Sequence, residues 1–567
     1  MRLLPVLVLL ALGPSAGAQA PRPLTPGVLV QDSLAPGERH VYAVPMRAGQ
    51  VVAGEADQQT ADVALRVTDP RGDNAGAFDG LARGPEPFAI EARRDGVYLV
   101  SVRSNGAGRY GLAVGTPEPR AQPGPERLRQ VLSGYDGLGR PGVAAVVVDS
   151  AGWALALGRA DALAGTPFTA DTRVPVGALA PAFAAHAVTV LADRGRLDLG
   201  ADVRTVIPGL PAFAEPVTVR DVVTHRAGYW PVDAVASLRV EPTPTTLDGV
   251  LAALARQRER VPDDGRGRPN PADTVVLVAL VEAVTGRPYA DWLRAEVLEP
   301  MGLTASSEPS PGVVGYLAVD GELLARPART EPDAPGQVYA SARDLARWLA
   351  AVDGSTYGDE VRRATATVAR TPQGLVLAGG QFAGGLNVRH EGGRRRWRAE
   401  GGTWGGYALA EWYPGEGLGL AMTSNGSTFP AGWGRTSLDG AAGWTVYAAP
   451  AARRVRAPIP LPPPPPDGAP ADGWGHFTGR FDNDVIGATI EVIETPDGRL
   501  AALSGRGPIA GATENVLGTY RQDDGTVLLN GFGALSQVTG RTDADGVLVS
   551  LEVHVGGVSF VYDRAAD

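Results

Sequence analysis

Between about Leu24 and Pro117 apolar and polar residues alternate in short runs, among them His40-Val41-Tyr42-Ala43-Val44, Gln50-Val51-Val52, Val63 to Val67, Val97 to Val102 and Tyr110 to Val114. A period of two is that of a strand with one buried face. Asp69-Pro70-Arg71-Gly72 and Arg94-Asp95-Gly96 supply turns, so this region is predicted to be a small antiparallel sandwich. The period lengthens in the middle third. Helical patterns run over Leu179 to Leu191, Thr246 to Arg256, Ala272 to Val284, Tyr289 to Leu298 and Ala342 to Val352. Strand patterns at Val143 to Val148, Ala408 to Tyr413 and Leu418 to Thr423 flank them, which predicts a sheet closed by the two ends of its own domain. Ala457 to Pro470 holds five consecutive prolines, Pro462 to Pro466, a stiff polyproline spacer. Alternation returns from Trp474, with Pro496-Asp497-Gly498, Asp523-Asp524-Gly525 and Ala544-Asp545-Gly546 as turn signals. An antiparallel sheet or small barrel follows. The expected class is multidomain α+β: a sandwich at 24–117, a central sheet with a helical subdomain at 127–449, the 457–470 linker and a β-domain at 474–567.

Composition adds a compartment. Arg2 precedes an apolar stretch from Leu3 to Leu12, and Ala16-Gly17-Ala18 and Ala18-Gln19-Ala20 offer small-residue cleavage sites. Residues 1–20 therefore read as a secretory signal, with the mature chain expected to begin at Gln19 or Pro21 and to be periplasmic or extracellular. No later segment has the ~18 apolar residues a membrane helix needs, and the cysteine count of zero excludes both a lipoprotein anchor and a disulfide framework. A net charge of -10 argues against nucleic acid as a partner. The basic run Arg394-Arg395-Arg396, followed by Arg398, is expected at an exposed strand edge. Asp543-Ala544-Asp545-Gly546 lacks the further ligands and closing glutamate of a calcium loop, so a hairpin turn is favoured. The six histidines, His40, His186, His225, His390, His476 and His554, show no metal-ligand spacing; neither metal nor cofactor is expected. Gly13-Pro14-Ser15-Ala16-Gly17 matches a nucleophile elbow but falls in the signal segment.

Several stretches between Arg127 and Ala449 carry a family likeness in shared order: Pro141-Gly142-Val143-Ala144, Gly195-Arg196-Leu197-Asp198-Leu199, Val219 to Gly228, Val284-Thr285-Gly286-Arg287-Pro288-Tyr289 and Ser341 to Ala346. The region resembles the penicillin-binding, β-lactamase-like serine hydrolases of the class C and esterase type. Leu34-Ala35-Pro36-Gly37, Ala48-Gly49-Gln50 and Gly96-Val97-Tyr98 resemble the bacterial pre-peptidase C-terminal β-sandwich, which implies an accessory module. The hydrolase resemblance implies a serine at the start of a buried helix and a lysine three residues on, side by side on one helical face. All 52 basic side chains of this chain are arginine, so that pair cannot exist here. In Val176-Gly177-Ala178-Leu179-Ala180-Pro181, Ala178 takes the nucleophile position and Pro181 the lysine position. A methyl group has no lone pair, and proline relays no proton but is tolerated in a first helical turn.

The family's Tyr-x-Asn element falls on Arg266 to Pro271: an ungapped count places the tyrosine on Pro269 and the asparagine on Pro271, and a one-residue slip places them on Arg268 and Asn270. Its third element, a strand with lysine or histidine before glycine, falls on Ala399-Glu400-Gly401-Gly402-Thr403, with Ala399 at the basic position. Asn270, Glu400, Gly401, Gly402, Thr403 and His225 are the expected lining of the cleft; His225 is read as structural rather than catalytic and His186 as a core residue. Arg268 and Glu400 are expected to pair and close the cleft; the alternative is that, unpaired, they recognise a zwitterionic or acidic ligand. The expected function is a secreted, catalytically inert homologue binding a cell-wall peptide or a partner protein. The alternatives are an active esterase or peptidase with a relocated nucleophile, for example Ser237, Ser306 or Ser341, and a purely structural secreted protein.

Overall fold

The computed structural model describes residues 20–565 except 80–83, 105, 137–139, 150–151, 240, 263–266, 320–321, 329–334, 367–380, 392–393, 404, 427–474, 495–499, 505–516, 522–525, 532–536, 544 and 556–557. The expected signal segment, the proline-rich linker and the turns at 496–498 and 523–525 lie outside the described residues. Two compact units emerge among the described residues: one runs to Arg140 and takes in the described part of 316–325, and the other is the remainder, in which the C-terminal strands join the central sheet's unit.

The first unit carries two five-stranded sheets. In one, Arg39–Met46 pairs antiparallel with Gly96–Arg103, which pairs in turn with Ala64–Thr68. In the other, Gln50–Gln58 lies between Gly84–Glu91 and Gly108–Val114. The alternation read from sequence sends Tyr42, Val44, Val100, Val102, Tyr110 and Leu112 into one core.

The second unit is built on a seven-stranded antiparallel sheet. Its strands lie in the order Trp153–Leu157, Val143–Val148, Leu418–Ser424, Gly406–Tyr413, Arg394–Thr403, Leu386–Glu391, Gln381–Ala383. Val143–Val148 pairs directly with Leu418–Ser424, the closure expected from strand patterns at the two ends of the domain. The helices inserted between them begin where local chemistry allows. Ser341 and Asp344 form a reciprocal capping box for Ala342–Val352, and Thr246 caps Leu247–Leu254. Pro271–Thr285 starts on proline and stops at Gly286, whose φ of 69° no branched residue would adopt cheaply. The predicted Tyr289 to Leu298 helix is α-helical over Tyr289–Leu293 and widens into a π turn over Arg294–Leu298.

Helix Ala180–Asp193 is buried along nearly its whole length, with Phe183 stacked at 4.8 Å from Trp348. His186, also buried, accepts a hydrogen bond at Nδ1 from Trp348 Nε1 at 3.2 Å, so it belongs to the core as expected. Eight C-terminal strands form one antiparallel sheet, whose apolar face, including Phe481, Ile490, Leu551 and Tyr562, packs with Val235 and Leu238 of helix Val232–Arg239 and with Trp230 just before it. The turn after Thr542 is a hairpin: Asp543 Oδ1 accepts from the amides of Asp545 and Val547 at 3.0 and 2.9 Å, and Gly546 takes a φ of 81°. Its carboxylate is thus spent on its own backbone.

The arginine run departs from expectation. Arg394–Thr403 is an interior strand, hydrogen-bonded on both sides, not an edge. Each arginine has a partner there: Arg394 pairs with Glu416, Arg395 bonds His390, and Arg396 and Arg398 converge on Glu411. The neighbouring strand supplies the neutralising carboxylate, which local sequence could not show.

Candidate active site

The stretch preceding the buried helix makes a tight turn. Gly177 adopts a φ of 53°, open to glycine at little cost, and lets the turn Gly177–Leu179 run straight into Ala180–Asp193. Leu179 and Ala180 are buried, whereas Ala178 is exposed. Pro181 sits half-buried in the first turn, where a missing N–H leaves nothing unsatisfied.

Strand Arg394–Thr403 closes against this turn. A Cβ on Gly401 would fall 2.6 Å from the Ala178 Cβ and 3.2 Å from its nitrogen, so glycine is what permits the approach. Alternation along the strand puts Ala399 on the same face as Gly401, and Ala399 is buried in the core that also takes Trp397, Ala410 and helix Ala180–Asp193. Gly401→Ala is expected to destabilise the protein by about 1–3 kcal/mol through overpacking. Chemical denaturation would read this, and a change below half a kilocalorie would mean the strand and turn can separate freely.

The same alternation overturns the expected role of Glu400. It points to the opposite face, where Arg398 pairs with it and Tyr407 Oη donates to it at 3.1 Å. The expected pair of Arg268 with Glu400 is replaced by these contacts. Gly402 is exposed at the rim, its carbonyl close to Gly177. Thr403 ends the strand.

Asn270 is also committed elsewhere. Its Oδ1 accepts from Ala272 N at 3.0 Å, capping Pro271–Thr285, and its Nδ2 donates to Tyr229 O at 2.9 Å. It caps the helix, and the Asn-Pro-x-Asp wording carried that signal. Pro269 is exposed beside it, and the Arg268 amide donates to the His225 carbonyl at 3.1 Å.

His225 holds a φ of 57°, a left-handed conformation that costs on the order of 1 kcal/mol outside glycine. Its buried ring places Nδ1 3.2 Å from Asp273 Oδ2 and sits edge-on to Phe382 at 4.9 Å. Burial pushes the Asp273 carboxyl up, opposed in part by His225. Asp273 was not singled out in the sequence; a carboxylate in the first turn of an otherwise apolar helix was the available sign.

Two of the three serines weighed as displaced nucleophiles have other duties. Ser341 is fully buried and donates to Asp344 Oδ2 at 2.7 Å. Ser306 Oγ donates to the Glu308 carbonyl at 2.7 Å. Ser237 lies in helix Val232–Arg239, with its side chain outside the described residues. Among the described residues no group of three or more histidine, cysteine or carboxylate side chains could hold a metal ion.

A model of the Beta-lactamase family matches residues 128–440. The Bacillus subtilis protein PbpX, named as a penicillin-binding protein, is 24% identical over 195 residues, which are 33% of this chain and 48% of PbpX. Esterase EstB of Burkholderia gladioli is 28% identical over 320 residues, 47% of this chain and 80% of the esterase. Solved structures similar to this chain include an octameric penicillin-binding protein homologue from Pyrococcus abyssi (18% identity, TM-score 0.45, 74% of this chain and 96% of that one). A class C beta lactamase from Rhodobacter sphaeroides is another (20% identity, TM-score 0.43, 56% and 96%).

Proposed function

Because the chain belongs to the Beta-lactamase family, we propose that it is a non-hydrolysing member, exported from the cell, whose cleft binds a cell-wall peptide or a partner protein. The observation that carries this reading is the junction of Ala178 with Gly401. The helix start is exposed and the glycine strand is packed against it, yet the side chains at the two helix positions are a methyl and a pyrrolidine ring. Neither can attack an acyl carbon or take a proton from a group that does. Ala399, at the basic position of the strand, adds a third inert group. Two curated relatives of this chain, a penicillin-binding protein and an esterase, suggest the kind of acyl or peptide ligand the cleft was shaped around.

Export is supported by Arg2 followed by the apolar Leu3 to Leu12 stretch; no described helix is long and apolar enough to cross a membrane. The competing reading, a relocated nucleophile, gains nothing from Ser341 or Ser306, whose hydroxyls serve a helix cap and a loop. Intact-mass analysis after incubation with a fluorophosphonate and with benzylpenicillin tests the proposal. No adduct is expected from either reagent, whereas one stoichiometric adduct mapped to a single side chain would overturn it. Calorimetric titration with a soluble cell-wall peptide tests the binding half, and absence of heat would leave only the partner-protein branch.

A further inference from the structure

Five buried polar atoms without a hydrogen-bond partner lie around the end of helix Val219–Val223 and the start of Pro271–Thr285: His225 Nδ1 and Nε2, Asp273 Oδ1, Thr274 Oγ1 and Tyr229 Oη. The His225 and Asp273 side chains are 0% and 3% exposed, so bulk water does not reach them. Nδ1 lies 3.2 Å from Asp273 Oδ2, yet neither ring nitrogen is aligned for a hydrogen bond. A pair so placed has to keep its proton where the fewest charges and donors go unmet.

An imidazolium would bury two N–H donors with no aligned acceptor, and the carboxylate beside it would have no donor at Oδ1. A neutral ring beside a protonated carboxyl buries no charge at all. Among the described residues His225 is the one titratable side chain that acts on Asp273, and burial, the larger influence, raises the Asp273 carboxyl above its ordinary range. The other charges nearby are spent elsewhere. Arg226 donates to the Ala364 carbonyl, Arg260 pairs with Asp221, and Asp202, Asp221 and Arg260 act, together with Asp273, on Tyr229. Arg268 meets His225 through its backbone amide, and Phe382, edge-on to the ring, brings no charge.

Residues 267–270, the segment at the family's Tyr-x-Asn position, are bound to both members of this pair. The His225 carbonyl accepts from the Arg268 amide at 3.1 Å, Gly267 sits against the carbonyls of Thr224 and Phe382, and the Asp273 amide donates to the Asn270 carbonyl at 3.1 Å. His225 itself is held at a φ of 57°, a conformation that persists only while its surroundings enforce it. We infer that His225 and Asp273 form a proton-dependent latch on the 267–270 segment, closed while Asp273 keeps its proton and loosened when Asp273 ionises and water has to enter to solvate the carboxylate. The segment yields before the helix does, because Ala272 to Val281 are buried without interruption whereas Pro269 is exposed. A carboxyl raised in the folded state contributes stability that is present in acid and lost as the pH rises through its raised value, so the latch opens on the alkaline side.

Hydrogen exchange of the full chain tests this, read by mass spectrometry on peptides covering 267–270 between about pH 5 and pH 9 and corrected for the intrinsic exchange rate. Protection in the parent is expected to fall on the order of tenfold as the pH rises, the equivalent of raising one carboxyl by one pH unit. Asp273→Asn, an uncharged group of the same shape, is expected to keep its acid-side protection throughout. Constant protection in the parent would overturn the inference, and so would an equal fall in Asp273→Asn. The parent curve decides alone if the variant does not fold. Neither an acyl reagent nor a cell-wall ligand enters the measurement, so its failure and that of the proposed function are distinguishable.

Discussion

Glutamine in place of Glu411 is expected to lower the unfolding free energy of the central domain by about 3–5 kcal/mol. Glu411 is 1% exposed, and so is Arg396, whose Nη1 lies 3.8 Å from its Oε2. Arg398 Nη1 approaches the same oxygen at 3.0 Å, and Tyr413 Oη donates to Oε1 at 3.1 Å. Removing the negative charge leaves two guanidinium groups side by side in a region with little water to screen them, and that loss greatly exceeds the worth of one hydrogen bond. Arg394 with Glu416 provides the internal comparison: that pair is about one-third exposed on both sides, so Glu416→Gln should shift stability by less than about 1 kcal/mol. Denaturant unfolding followed by the fluorescence of Trp397 and Trp412, which face each other across the adjoining register, reads both variants. Equal shifts in the two would mean the Glu411 cluster is solvated and the argument from burial fails.

The second large effect is a pH dependence. Burial pulls the His186 imidazole from 6.5 down to about 4, because a charged ring cannot be solvated between Trp348 and Tyr357. The unfolded chain therefore binds a proton that the folded chain refuses between those two values. Stability from this residue is fully present above pH 6.5 and is lost as the pH falls toward 4, by about 3 kcal/mol in all. His186→Gln keeps an acceptor for the Trp348 N–H and removes the titration. Its stability relative to the parent should rise by that amount between pH 7 and pH 4; parallel curves for the two proteins would show that the ring is charged in the folded state or already wet.

Local chemistry explains why some elements were legible in the sequence. The helix Ala342–Val352 has the limits its apolar period indicated because the reciprocal Ser341 and Asp344 bonds lie within four residues of sequence. The sheet joining the two ends of the domain was legible from the all-apolar Val143–Val148 run and its counterpart. Helix Val232–Arg239 was missed because its apolar face is completed by strands more than two hundred residues away, with Arg239 Nε also bonding the Ile486 carbonyl. The arginine run was misjudged for the same reason: Glu411 neutralises it from the facing strand, in a register that no short window reveals. At the candidate site, Ala178, Pro181 and Gly401 could be placed by resemblance alone. Glu400 and Asn270 could not, since one turns on which face of a strand it occupies and the other on a competing duty as a helix cap.

The pairing of the first central strand with the last has a consequence for how the chain is made. Gly142 N bonds Asn425 Oδ1 across 283 residues, and Ser424 Oγ bonds the Gly142 carbonyl beside it. At a synthesis rate of ~5–20 residues per second, that separation is roughly 15 to 55 seconds of translation. Throughout that interval Val143–Val148, apolar along its whole length, lacks the strand that will lie at its centre-side edge. The nascent chain therefore exposes a sticky, half-paired ribbon while it is being made, an aggregation hazard that lasts until Leu418–Ser424 emerges to cover that edge.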